Sequence, residues 1–277
     1  MNASVDLAYD VLPLLDTLLL WVASQPVWLG MATVVGGTML ISLVGAAFVG
    51  HVTDPLVLAD NNLVSGAKYQ FLSEVYAALL AFVLIAAAFR YTDARTQVQT
   101  EATALRLFDS TIAQLANPQV PEIRGLVRTY VINVVENEFI TMQLGRESLG
   151  ARAAFQRLLG GYAKLENVDE HERLTRLQAD QFLADAMDSR QQRLASVRPK
   201  LRTLIWGVLL FSSLLSIMFN WFFAGPSFLA HVAMAMLLAA GIATIVYMTL
   251  LLYHPFTGAL AISPRPFEYL LPAGHGG

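Results

Sequence analysis

The chain has 277 residues, 56% of them hydrophobic and only 14% charged, with a mean hydropathy of +0.53. Soluble domains carry roughly 25% charged residues, so an ordinary soluble globular fold is disfavoured from the outset. A net charge of −3 argues against nucleic acid as a partner, and the lack of cysteine removes disulfides, thiolate metal sites and cysteine nucleophiles.

The first element is ambiguous. Residues 1–26 carry Asp6, Asp10 and Asp16 but no Lys or Arg, so they do not read as a signal peptide. Val11–Ala23 is apolar, broken by Asp16 and bounded by Pro13 and Pro26. It fits an interfacial or partly buried segment, or a broken fifth span.

Four strongly apolar stretches follow, Val27–Gly50, Leu72–Phe89, Thr203–Ala224 and Phe228–Leu252. A hydrocarbon core about 30 Å thick needs roughly 20 helical residues. The expectation is therefore an all-α membrane protein with four transmembrane helices, paired as 27–90 and 203–252. A helical cytoplasmic domain (91–202) lies between the pairs, and a cytoplasmic tail (253–277) follows. Arg90–Arg202 holds 16 of the 18 basic and 14 of the 21 acidic residues. The basic residues flanking the spans, Arg90, Arg95, Arg198, Lys200 and Arg202, place this block inside by the positive-inside rule. Both termini then fall inside as well, in a multi-pass membrane protein.

The connection His51–Phe71 falls outside. Asp54, Asp60 and Asn61 there form an outer mouth that gathers cations or caps the following helix. The second span carries the most informative face. Glu74, Ala78, Ala81, Phe82, Ile85 and Phe89 share one side of a helix. Around an axis of several copies this side fits a pore, with alanines keeping it open and Phe82, Ile85 or Phe89 closing it by dewetting. Contact with lipid or a neighbouring helix fits the aromatic residues as well. Arg90 and Asp93 sit at the inner mouth, where Arg90 anchors the span, pairs with Asp93 or makes a positive ring.

The charged block predicts three helices, Tyr91–Ala116, Glu122–Tyr162 and Asn167–Val197. The apolar residues expected to pack are Val98, Ala102, Leu105 and Phe108 in the first and Leu174, Leu177, Phe182 and Leu194 in the third. Gly145 and Gly160-Gly161 are weak points in the second. Asn133, Glu136 and Glu138 interrupt its apolar run and predict an ion-pair network with arginines of the block, such as Arg124, Arg128 or Arg146, or a vestibule lining. The third span ends in aromatic residues, Phe219 to Phe223, an interfacial belt. The five histidines are scattered without metal-ligand spacing, and no phosphate loop or serine elbow occurs. No enzyme activity, cofactor or metal is expected.

Three groups of residues carry a resemblance. The first is Asp60-Asn61-Asn62 to Gly66, Val75 to Phe82, Tyr91-Thr92-Asp93-Ala94 and Glu101-Ala102. The second is Glu138-Phe139 with Met142 and Gly145. The third runs from Leu204-Ile205-Trp206 to His231, then Pro255-Phe256-Thr257-Gly258 and Ser263-Pro264. In order and spacing these resemble the bacterial bestrophin-like family, over about Asn61–Phe267. The chain departs from the family pattern at Asp60, Phe139 and His254. The family is remotely similar to bestrophins, pentameric ion channels with four spans per subunit, whose second helices line the pore beneath a helical cytoplasmic region. The resemblance implies a homo-oligomer of a bacterial inner membrane, with a pentamer favoured, that passes inorganic ions passively through a pore lined by Ala78, Phe82, Ile85 and Phe89. A weak cation preference is expected from Glu74, Asp54 and Asp60. The alternative is a non-conducting membrane scaffold or sensor that binds a cytoplasmic protein through residues 91–197.

Overall fold

The computed structural model describes residues 13–53, 55–165, 172–197, 202–223 and 227–271, and within these the side chains of all but 13–16, 55–61, 63, 202 and 203. The described residues are helical or form turns, and none is a strand. They divide into two compact units, residues 1–89 with 200–253 and residues 90–199 with 254–277.

In the first unit the first described helix is α1 (Pro13–Ser24). Pro26 separates it from α2 (Val27–Val52). The next helix, α3 (Pro55–Ile112), is 58 residues long and supplies residues to both units. The apolar span was expected over Leu72–Phe89, after an outer connection whose Asp54, Asp60 or Asn61 gathers cations or caps the helix. Instead the polar run Asp60-Asn61-Asn62 lies inside α3, because no proline follows Pro55 until residue 118 to stop the chain from continuing as helix. Asp60 and Asn61 therefore do not cap its start, and Asp54 lies outside the described residues.

The unit is completed by α8 (Arg202–Asn220) and α9 (Phe228–Tyr253), the intervening labels α4 to α7 belonging to the second unit. Among the described residues three helices are long and apolar enough to cross a membrane: α2, the 64–112 portion of α3, and α9; the apolar part of α8, Leu204–Asn220, is shorter. The main packing is α9 on α2. Its seam uses small residues, Ala46 on α2 and Ala235, Ala239 and Ala243 on α9, so the backbones approach closely in the manner of membrane helices. Gly45 lies directly against the Trp221 ring, which leaves no room for a Cβ.

The second unit contains residues 90–112 of α3, then α4 (Val120–Asn133), a π turn (Val134–Glu138), α5 (Phe139–Gln143), α6 (Leu149–Ala163) and α7 (Arg173–Ala195). A 3₁₀ turn (Gly258–Leu260) and α10 (Arg265–Glu268) close it. Asn117 and Pro118 separate α3 from α4, and Pro121 sits in the first turn of α4, where its missing N–H is tolerated. The single helix expected over Glu122–Tyr162 is broken at Gly145. Its φ of 71° is a left-handed conformation that glycine adopts freely, and Arg146 N–H returns to Thr141 O at 3.0 Å. Ser148 then caps α6, its Oγ accepting from Ala151 N–H at 3.3 Å. Gly160-Gly161 do not interrupt α6.

The core of this unit takes Val98, Ala102, Leu105 and Phe108 from α3, as their three-to-four spacing predicts. On α7 the buried stripe is Ala179, Leu183 and Ala186, not Leu174 and Leu177, which are 73% and 53% exposed. Phe182 and Leu194 pack only partly against the core. Phe256, Ile262 and Phe267 belong to the same core, so the segment after α9 is an integral part of the unit. Tyr91 donates to Leu260 O at 2.9 Å and Thr257 to Gln143 O at 3.0 Å, fixing that segment at two points.

Candidate functional site

Two arrangements stand out, one in each unit. The first is the division of faces on α3 between Tyr69 and Phe89. Tyr76, Leu80 and Ala87 are buried on one side. Tyr76 shares a 2.7 Å hydrogen bond with Ser213 of α8, and Tyr69 stacks on Phe219 at 5.6 Å. The opposite side has no tertiary partner among the described residues: Glu74, Ala78, Ala81 and Ile85 are exposed there, and Phe71, Phe82 and Phe89 are 66–73% exposed. At 100° per residue these positions fall within roughly one third of the helix circumference. Glu74 Oε1 accepts from Gln70 Nε2 at 3.1 Å, one turn earlier. Lys68, a basic residue of the same helix, is exposed one to two turns before Glu74. Arg90 is half-buried and Asp93 exposed on the following turn.

The second arrangement is a buried charge network. Glu101, Glu138 and Arg193 are 0% exposed. Arg193 Nε donates to Glu101 Oε2 at 2.7 Å, and its Nη2 donates to Glu138 Oε2 at 2.7 Å. Arg190 Nη2 donates to Glu138 Oε1 at 2.7 Å, while its Nη1 lies 3.6 Å from Glu147. The Tyr130 hydroxyl donates a short hydrogen bond to Glu101. Arginine suits this place because its planar fork serves two carboxylates at once. Aromatic faces cover the guanidinium groups: Phe139 and Phe267 lie 5.8 and 5.7 Å from Arg193, and Phe155 lies 5.4 Å from Arg190.

Local structure explains how Glu138 reaches this site. It ends the π turn, where Phe139 N–H bonds Val134 O. The added residue widens the turn and aligns Val134 and Glu138 inward, both fully buried, while Glu136 stays exposed. Burial pushes the Tyr130 phenol well above its ordinary pKa, and the Glu101 charge adds to that. Burial works against the Arg193 guanidinium, but Glu101, Glu138 and Tyr130 outweigh it and hold its pKa well above the ordinary value. At its buried centre two carboxyl groups, Glu101 and Glu138, are matched by two guanidinium groups, with Glu147 at the edge, which suits a structural clamp more than proton transfer.

Of the expected polar network, only Glu138 takes part. Its partners are arginines of the charged block, as expected, but they are Arg190 and Arg193 and not the examples Arg124, Arg128 or Arg146. Arg124 instead makes a bidentate pair with Asp109, both bonds 2.9 Å. Asn133 Nδ2 donates to Thr129 O at 2.9 Å, a local helix contact. Among the described residues no group of acidic and histidine side chains could hold a metal ion.

A model of the bestrophin-like domain matches residues 36–267. No curated protein matches the chain. A crystal structure of a membrane protein is similar in fold, with a TM-score of 0.65 at 12% identity, over 85% of this chain and 95% of that one. With the match spanning both helical units, the chain belongs to the bestrophin-like family.

Proposed function

We propose that copies of this chain assemble around an axis and that α3 lines a passive ion-conducting pore between them. The observation that carries this is the free face of α3. One side carries Tyr69 and Tyr76, which contact α8, and the buried Leu80, while Ala78, Phe82, Ile85 and Phe89 have no partner among the described residues. Small residues alternate with bulky apolar ones there, the pattern needed for a conduit with a hydrophobic constriction. The likeness to bestrophins favours five copies and a charged helical unit on the cytoplasmic side. Glu74, exposed at the far end of the same face, gives a weak preference for cations.

The absence of cysteine makes a direct test available. Single substitutions Phe82→Cys and Ile85→Cys are introduced into the full chain, with Val75→Cys as a flanking comparison. The pore reading predicts disulfide-linked dimers at Phe82 and Ile85 under mild oxidation in membranes, and modification there by small charged thiol reagents. Labelling at these positions only by lipid-soluble reagents, with no cross-linked species, would assign the face to lipid.

A further inference from the structure

A hollow of about 480 Å³ in the second unit lies where α3, α4 and the turn after α10 meet. It is within the size range of small-molecule sites. Its floor is apolar, formed by the buried Val127 and Val131 of α4. Its rim is basic. Arg106 of α3 and Arg124 and Arg128 of α4 all line it, against one acidic residue, Asp109. Asp109 is already held by Arg124 in the bidentate pair. Arg106 and Arg128 have no hydrogen bond or ion pair among the described residues, and both are exposed. At the opening stands Tyr269, 81% exposed, with Leu270 beside it. A second hollow of about 370 Å³ shares Arg106, Tyr269 and Leu270, so the concavity extends along α3.

Within the hollow Arg124 is neutralised by Asp109, whereas Arg106 and Arg128 bring two guanidinium charges with no carboxylate among the described residues to balance them. Two free forks facing one hollow match the bidentate geometry of a phosphate. An apolar floor and an exposed phenol ring beside them suit an organic body more than a bare ion. We propose that this hollow binds a small organic phosphate, with Arg106 and Arg128 holding the phosphate and Tyr269 covering the organic part. The site is separate from α3's unpartnered face, and the inference does not rest on the channel reading.

ATP is a suitable probe, with adenosine as its uncharged counterpart. Calorimetric titration of the full-length protein in phosphatidylcholine nanodiscs is expected to show saturable ATP binding below about 1 mM. Adenosine is expected to bind at least about tenfold more weakly, and added salt to weaken ATP. The double substitution Arg106→Gln with Arg128→Gln should lower ATP affinity about tenfold or more, since charge-assisted bonds are lost. Arg152→Gln, which removes an arginine lying elsewhere and paired with Glu147, should not. Gly125→Leu provides a variant that keeps the charges: a Cβ at Gly125 meets nothing within 4 Å, so the added side chain enters the hollow and should block binding without loss of folding.

Phosphatidylglycerol added to the nanodiscs distinguishes two sources of the phosphate. Unchanged ATP affinity marks a soluble ligand, and competition marks a lipid headgroup at the same arginines. The proposal is overturned if wild-type protein binds no ATP below about 1 mM. It is equally overturned if adenosine binds as well as ATP, or if the double substitution and Gly125→Leu both leave the affinity unchanged.

Discussion

Arg193 of α7 donates from Nε to Glu101 of α3 at 2.7 Å, across 92 residues of sequence, with both side chains 0% exposed. Through Nη2 the same guanidinium holds Glu138 at the end of the π turn. One side chain thus ties three separate segments of the charged unit together. Removing one partner of a buried ion pair leaves an uncompensated charge, at a cost of about 3–5 kcal/mol. Arg193→Ala should therefore destabilise the unit by about that amount, read as a large drop in thermal midpoint by circular dichroism in detergent. Arg193→Lys should recover only part of the loss, because an ammonium lacks the fork that serves two carboxylates. A midpoint within a degree or so of wild type for Arg193→Ala would show that the clamp contributes little.

Tyr130 predicts how the same unit responds to alkali. Burial, reinforced by Glu101, raises its pKa well above the ordinary 10.0. The folded state thus holds the phenol proton more tightly than the unfolded chain. Its contribution to stability is complete below pH 10 and is lost as pH rises through the folded value. Unfolding by base should set in above pH 10, with Tyr130 ionising only as the unit opens, seen as a rise in tyrosinate absorbance that coincides with loss of helix. Tyr130→Phe should make stability less sensitive to pH in that range, while costing about 1 kcal/mol for the lost hydrogen bond. Ionisation of Tyr130 near pH 10 in the folded protein would contradict this.

Gly45 and Gly36 lie on the same helix but should respond in opposite ways. A Cβ at Gly45 collides with the Trp221 ring, whereas one at Gly36 meets nothing within 4 Å. Gly45→Ala forces the indole to move and should cost about 1–3 kcal/mol, as overpacking does. Gly36→Ala should be neutral or stabilising, by up to about 1 kcal/mol from helix propensity. Thermal aggregation of the two variants in detergent, read beside wild type, checks the ordering.

Glu74 is the one acidic side chain on the exposed side of α3 between Phe71 and Phe89. If it biases the outer mouth toward cations, Glu74→Gln should move the reversal potential under a salt gradient toward zero. An unchanged value would remove Glu74 from the account of selectivity, and Lys68→Gln then becomes the informative substitution.

The spans around α2 and α9 were legible because their apolar runs are long and uninterrupted, and Val98 to Phe108 because a core stripe on a helix keeps its period. The start of α3 was not. Asp60-Asn61-Asn62 reads as a connection by local propensity, yet propensity is a weak prior against helix continuation. The buried network was half legible. Glu138 was singled out as a polar interruption, but its partners were sought among the nearer arginines. A signal for the true partners was present. On α7 the buried positions Ala179, Leu183 and Ala186 continue at the same three-to-four spacing to Arg190 and Arg193, so these two arginines fall in phase with the core stripe. Charged residues at core positions of a helix call for buried partners, and Glu101 on α3 was one. The π turn left no sequence mark that helical periodicity could detect.

The central claim, that the free face of α3 bounds a conducting pathway, is tested most directly by reconstituting the purified oligomer in planar bilayers under an asymmetric salt gradient. Wild type is recorded beside Phe82→Ala. The account predicts discrete currents with a reversal potential on the cation side, and a higher open level or leak in Phe82→Ala as the dewetted constriction widens. Silence from an intact oligomer of both proteins, across pH and in the presence of divalent cations, would contradict it.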